Sequence, residues 1–489
     1  MKILFISPTW TENLGIFSKV AKKRNSQPPL GILYLASVAE RKGNTCQIID
    51  ADVEGYSSGA LINEIMSRDF DLIGITATTP IFHKAVLLAE GLKNSGFKGP
   101  ILIGGEHINI FKDSALRKCF DYGFYGESDF SFGQFLDIIS EGSRDFKSME
   151  GFLYRDAQGI ILTPPSERIL DLDKIDFPAM HLLRAGKYRI SFAKFKSRSY
   201  LPVMASRGCP FKCVFCSEPL TNPHVRFRAA GNIVDEIEKW IKDLGINHFF
   251  FMDSNLTLNR NQVEALCKEI SVRKLRFTFE GWTRANLIDR QLLSLLKKAG
   301  LIRISYGIES GDQRILKLIK KEVSKNEILD AFKMTEELGI EPACSVMLGL
   351  PGETRESVEK TIRFVKSIPQ VLYSNFSIAN PYPGTELYEW ALKGEHGLRM
   401  RTRDFARFSR YEDSPISVND LEYSDLSRLQ KIGLLRIHLA PKRMLAAFKI
   451  LGFTCLAPVF MNLLFTKIFS MFNNHVKKFY GGSNKISGG

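Results

Sequence analysis

Three cysteines, Cys209, Cys213 and Cys216, stand within the stretch SRGCPFKCVFCSEP at a C-x3-C-x2-C spacing. Thiolates this close on one loop can each hold one iron of a [4Fe-4S] cube, which leaves the fourth iron to a ligand from outside the chain. A cluster with a purely structural role is ordinarily closed by a fourth cysteine, and none is near in sequence. Two other readings of the same residues are a zinc ion completed by a distant side chain such as His224, and three buried cysteines that hold nothing. A three-residue gap is not the usual zinc spacing, which favours the open cluster.

Such a loop needs a scaffold, and residues 198–394 read as one. Apolar runs at YLPVMASRG, HFFFMDSN, RFTFEGW, RISYGIES, CSVMLGL and NFSIANP alternate with amphipathic helical stretches such as NIVDEIEKWIKDLG and ESVEKTIRFVKS. Six strand and helix units in succession predict a partial (β/α)6 barrel of the TIM type, with its working residues at the carboxyl ends of the strands. The cysteine loop follows the first of these strands.

Residues 1–142 carry a second alternation. The strands KILFISP, NTCQIIDAD, FDLIGITATTP, GPILIGGEH and YGFYGESD are too continuously apolar to alternate, so both faces of their sheet must be covered. A doubly wound, Rossmann-like α/β domain is expected, with ligands at the strand carboxyl ends. Those ends hold Thr76 and Thr78, then Gly104, Gly105 and Glu106, then Gly126 and Glu127. Residues 143–197 read as a connector with a hairpin around Ala157-Gln158-Gly159. Residues 395–489 read as a helical, basic carboxyl-terminal region.

The chain of 489 residues is long enough for two or three domains, and its 44% apolar and 25% charged content is that of a globular protein. Eight cysteines at irregular positions are too sparse for a disulfide scaffold, which points to a reducing cytoplasm. The net charge of +14 is localised: Asp425 is the last acidic residue, and ten lysines and arginines follow it. The first 425 residues therefore carry only +4 (14 minus 10), so no nucleic-acid partner is expected.

CPFKCVFC, with Phe215 directly before the last cysteine, resembles the signature of the radical S-adenosylmethionine (SAM) superfamily. The resemblance implies that SAM itself chelates the open iron, and that a reducing electron-donor protein then triggers release of a 5′-deoxyadenosyl radical. Later segments agree in order. MDSNLT supplies Asp253 and Asn255, with Ser254 in place of a second acid; GWTRAN supplies Arg284 as a partner for the SAM carboxylate. YGIES supplies Glu309 and Ser310, and LGLPGET supplies Gly349 beside the adenine. PPLGILYLASVAERKG, GGEH and YGESD resemble the cobalamin-binding group of these enzymes. The seven residues named above in the first domain would then cradle the corrin, without a histidine for cobalt from the loop after the first strand. Radical SAM methylthiotransferases carry three further cysteines in this domain, and here there are only Cys46 and Cys119.

The reading is a cobalamin-dependent radical SAM enzyme that methylates an unactivated carbon. A cobalamin-dependent radical cyclase or oxidase and an iron-sulfur sensor without turnover are the alternatives. Between Lys449 and Lys467 lies ILGFTCLAPVFMNLLFT, uncharged and broken by Pro458. With bases at both ends it suits the membrane interface, at the inner face of the cytoplasmic membrane, and so suggests a small lipid-like substrate. No residue is assigned a catalytic role from the sequence.

Overall fold

The computed structural model describes residues 1–11, 27–408 and 414–451. In the first domain, β1 (Lys2–Ser7), β2 (Thr45–Asp50), β3 (Leu72–Thr76), β4 (Ile101–Gly104) and β5 (Tyr122–Phe124) form a parallel sheet in the order β2-β1-β3-β4-β5. Ile3, Leu4, Phe5 and Ile6 are all buried because helices cover both faces. Helices α1 (Leu30–Arg41) and α4 (Asp129–Ser140) pack with Ile3 and Phe5; α2 (Ser58–Met66) and α3 (Phe82–Asn94) pack with Leu4 and Ile6. The strand order reverses about β1, which opens a crevice at the carboxyl ends of β1 and β3. The expected hairpin forms as β6 (Phe152–Asp156) and β7 (Gly159–Leu162). It pairs antiparallel with β5 and extends this sheet, so the first domain's sheet runs on to Leu162.

The second sheet holds β8 (Leu201–Val203), β9 (His248–Phe251), β10 (Thr278–Thr283), β11 (Leu301–Glu309), β12 (Glu341–Leu348) and β13 (Ser374–Ile378), all parallel and in sequence order. Helices α5 (Ala230–Leu244), α6 (Arg260–Val272), α7 (Arg290–Ala299), α8 (Lys325–Glu337) and α9 (Arg355–Ser367) connect them, and α10 (Glu386–Lys393) follows the last strand. This is an open six-stranded barrel. Helix α11 (Tyr423–His438) lies along the edge strand β13, where Gln430 Nε2 donates to the Phe376 carbonyl at 2.6 Å.

At the amino-terminal end of the barrel the connector inserts residues 191–194 as a plug. Glu341 accepts from the backbone N–H groups of Ala193 (3.0 Å) and Lys194 (2.7 Å). Arg303 donates to Glu280 through Nε (2.5 Å) and to the Ser191 carbonyl through Nη1 (3.1 Å). His248 bridges Thr278 (2.9 Å) and Glu280 (3.3 Å).

Helix α12 (Pro441–Leu451) docks at this same end. Ala446, Ala447 and Ile450 meet Ala193, Leu372 and Tyr373, while Arg443 donates to the Lys366 and Ile368 carbonyls at the end of α9. No helix among the described residues is long and apolar enough to cross a membrane. The apolar run from 452 onward lies outside the described residues.

Candidate active site

The cysteine loop leaves the carboxyl end of β8 and is closed at its base by a two-stranded ribbon, Ser206–Arg207 antiparallel to Arg226–Phe227. Gly208 crosses this base at φ +103, where a Cβ would lie 2.4 Å from the His224 carbonyl oxygen, so the position requires glycine. The loop is pinned on both sides: Val214 N–H donates to the Ile319 carbonyl (3.2 Å), and Leu387 N–H donates to the Val214 carbonyl (2.9 Å).

Burial, and then the neighbouring Cys213 and Cys209, push the Cys216 thiol up to about 12; burial likewise raises Cys209. The three sulfurs therefore share one neighbourhood. Among the described residues, no group of three His, Cys, Asp or Glu side chains gathers tightly enough to hold a single metal ion. Zinc draws its ligands to roughly 2.0–2.3 Å, whereas a cube spreads its thiolates over separate corners. His224 is exposed. The donor set suits the cluster better than zinc.

Two side chains point N–H donors at these sulfurs. Asn255 Nδ2 lies 3.5 Å from Cys209 Sγ, and Arg284 Nη1 lies 3.5 Å from Cys213 Sγ. Arg284 follows β10 and is 3% exposed; its guanidinium sits 3.8 Å above the Phe211 ring, and its Nε and Nη2 find no protein partner. A buried cation with two unpaired donors calls for an anionic ligand. Phe211 was not recognisable as a site residue from sequence, although an aromatic inside a cysteine loop is a usable signal for a cation platform.

The remaining barrel residues divide. Asp253 is buried, and its carboxylate accepts from Ala205 N–H (3.2 Å) and Ser206 Oγ (2.5 Å), so it anchors the strand that feeds the cysteine loop. Glu309 ends β11 at φ +60 and pairs with Lys321 at 3.0 Å. The Ser310 hydroxyl is engaged with Thr361 (3.2 Å) and with the Asp312 N–H (3.2 Å). Phe215 packs against the barrel core. Gly349 and Leu350 donate their N–H groups to Glu353 Oε2 (2.8 and 3.1 Å), and burial pushes this fully enclosed carboxyl up to about 8. Asn380, just past β13, is 5% exposed with neither amide atom partnered. Glu353 and Asn380 join the mouth of the barrel without having been predicted.

In the first domain, Thr78 and Glu106 are exposed at the strand ends, and Thr76, Gly104, Gly105 and Gly126 are half-buried or exposed beside them. Gly105 adopts φ +98, and a Cβ there would lie 2.8 Å from both the Ala77 carbonyl oxygen and Thr76 Oγ1. At Gly104 a Cβ would meet nothing within 4 Å, so the chain leaves open space above the sheet. Although part of Glu106 reaches solvent, the protein packed around its carboxyl desolvates it, and this, with the charge of Glu218 from the barrel, raises it. His107 is turned away, stacked on Phe82 at 3.8 Å, and burial lowers it to about 4. Glu127 is taken up by Arg226 at 2.6 Å. Cys46 and Cys119 are buried in different cores, one on each face of the sheet.

Two family models match this chain, the Radical SAM superfamily over residues 203–365 and the B12 binding domain over residues 19–135. The uncharacterized methyltransferase PH0819 of Pyrococcus horikoshii is 31% identical over 90% of this chain and 93% of its own length. The chain belongs to the cobalamin-binding radical SAM family. The anaerobic magnesium-protoporphyrin IX monomethyl ester cyclase of Rubrivivax gelatinosus, 28% identical, matches 84% of this chain and 72% of that protein. Among solved structures, the radical SAM methyltransferase TsrM of Kitasatospora setae shares the fold. Its TM-score is 0.67 at 16% identity, covering 89% of this chain and 88% of that one.

The cofactors of this family are a [4Fe-4S] cluster, SAM and cobalamin. The residues present fit them. Three thiols with N–H donors on two of the sulfurs suit an anionic cluster, the two unpaired Arg284 donors suit a carboxylate, and the open space above Gly104 suits a group laid over the strand ends.

Proposed function

We propose that this enzyme transfers a SAM-derived methyl group to an unactivated carbon of a small, lipophilic, ring-containing substrate. The observation that carries the reading is the buried Arg284 guanidinium, half-satisfied by Cys213 and Phe211 and open on its other nitrogens, in a chain that also holds a cobalamin-type sheet.

When bound, cluster-held SAM supplies the radical that takes hydrogen from the substrate, and cobalamin supplies the methyl group. The protein orients these reactants and excludes competing ones. Cys209, Cys213 and Cys216 would hold the cluster; Arg284 and Asn255 donate to two of these sulfurs, and the open nitrogens of Arg284 would take the SAM carboxylate. Asp253 keeps the start of the cysteine loop in place, Glu353 shapes the Gly349–Leu350 turn beside the adenine, and Asn380 offers one donor and one acceptor to the same pocket. Thr76, Thr78, Gly104, Gly105, Glu106 and Gly126 form the cobalamin floor.

The substrate class rests on the cyclase relative, named for a magnesium porphyrin ester, and on the basic tail. On α12, Lys442, Leu445 and Lys449 face outward, which suits contact with anionic lipid at the inner face of the cytoplasmic membrane. That helix starts from the barrel end opposite the cysteine loop, so a bilayer there would leave the mouth open to substrate from the other side. A second reading, cyclisation or oxidation of such a ring system, is favoured by the same cyclase relative.

The test uses anaerobically reconstituted full-length protein with cobalamin, a reductant, methyl-deuterated SAM and a pigment and lipid extract. Deuterated methyl appearing in one extract component, with 5′-deoxyadenosine formed alongside it, supports methylation. Substrate-dependent deoxyadenosine with a changed but unlabelled product contradicts it and selects cyclisation or oxidation.

A further inference from the structure

Glu127 lies in the loop after β5, where the sequence placed a cofactor ligand, yet its carboxylate is fully occupied by protein. Oε1 accepts from Arg226 Nη2 (2.6 Å); Oε2 accepts from Arg226 Nη1 (2.7 Å) and from the Ile169 N–H (3.0 Å). Arg207 Nη1 stands 3.5 Å from Glu127 and forms a two-pronged pair with Asp129 at 2.9 and 3.1 Å, its guanidinium 5.5 Å from the centre of the Tyr34 ring. Arg226 Nη1 also donates to the Ile169 carbonyl at 2.7 Å.

The side chains of these four residues are only 6–13% exposed. Two positive and two negative charges make a neutral set, and its acids come from the first domain while its bases come from the barrel. Arg207 and Arg226 are direct register partners in the ribbon at the base of the cysteine loop. Like charges placed opposite one another on paired strands repel, so this ribbon closes favourably only when Glu127 and Asp129 neutralise it. Arg207 is two residues from Cys209.

We infer that Glu127, Asp129, Arg207 and Arg226 form a buried latch through which the cobalamin-binding domain closes the base of the cluster loop and fixes the spacing between the two cofactor sites. All four are positioning residues. The latch itself stands on the ion-pair geometry; its effect on cofactor spacing rests on the proposed use of cluster and cobalamin together.

The test compares wild type with Glu127→Gln and Arg226→Lys in the full chain, reconstituted with iron, sulfide and cobalamin. Hydrogen exchange is followed in peptides covering 204–212 and 222–228, and pulsed paramagnetic resonance gives the distance between cob(II)alamin and the reduced cluster. The latch predicts that Glu127→Gln speeds exchange at both strands of the ribbon by tenfold or more and broadens the distance distribution, with cobalamin content within twofold of wild type. Arg226→Lys keeps the charge and loses the two-pronged geometry, so it gives a smaller change in the same direction and serves if Glu127→Gln does not fold. Unchanged ribbon exchange overturns the proposal, and so does a tenfold loss of cobalamin with the ribbon unaffected, which would make Glu127 a ligand. If wild type takes up no cobalamin, the cofactor reading fails, while the exchange comparison still decides the latch.

Discussion

Both ends of the barrel bury polar groups, and they differ in how many of those groups the protein leaves open. At the amino-terminal end, His248, Glu280, Arg303 and Glu341 all have partners, each reaching another of the four or the plug at Ser191–Lys194. At the carboxyl-terminal end, Arg284 keeps two nitrogens unpaired, Asn380 keeps its whole amide unpaired, and Glu353 keeps Oε1 unpaired. An unpaired buried polar group costs about 1–3 kcal/mol, and at the mouth of the barrel a bound ligand would complete these groups. Within one barrel, the charges at the amino-terminal end pair with one another, while the carboxyl-terminal mouth leaves the Arg284 cation and the neutral Asn380 and Glu353 groups with open hydrogen-bonding atoms.

The largest expected effect removes the chemistry outright. Cys216→Ala should abolish the iron-sulfur absorbance after reconstitution and all 5′-deoxyadenosine formation; a variant retaining both would show that the loop does not hold the cluster. The opposite end should respond in stability instead. Arg303→Met leaves the buried Glu280 carboxylate with only His248 beside it and should lower unfolding free energy by about 3–5 kcal/mol, measured by denaturant titration, with SAM cleavage per folded molecule unchanged.

Glu353 sharpens the contrast through pH. Its folded pKa, raised to about 8 by burial, lies above the unfolded value of roughly 4.3. The native state therefore holds the proton more tightly, and the associated stability is present below the unfolded value and lost as pH rises through about 8. Glu353→Gln should flatten this loss, by up to about 4 kcal/mol between pH 5 and 9. An unchanged pH profile of stability in the variant would place the titration elsewhere. Smallest in free energy is Arg284→Met, which should weaken SAM binding roughly 10–100-fold, about 1.4–2.8 kcal/mol, while leaving the cofactor-free protein as stable as wild type or more so. A destabilisation like that of Arg303→Met would erase the distinction between the two ends.

Much of this was legible in the sequence because it is local. The six barrel strands and the five of the first domain are apolar runs long enough to identify, and the cysteine spacing marks the loop without reference to anything distant. What was not legible depends on partners far along the chain. Glu127 reads as a pocket acid until Arg226, 99 residues later, closes on it. Ser310 reads as a ligand contact until Thr361 takes up its hydroxyl. The hairpin at 152–162 gave no sign of which sheet it would join, since its alternation fits any edge. Helix α12 carried a visible charge bias, but nothing in its residues told which end of the barrel it would cover.

The most direct test of the account is to add SAM to the reconstituted, reduced enzyme and follow the paramagnetic spectrum of the cluster together with 5′-deoxyadenosine. The account predicts that SAM shifts the spectrum in wild type, that the shift weakens in Arg284→Met, and that deoxyadenosine accumulates. A cluster whose spectrum ignores saturating SAM, with no deoxyadenosine formed, would contradict the claim that the missing fourth ligand is SAM.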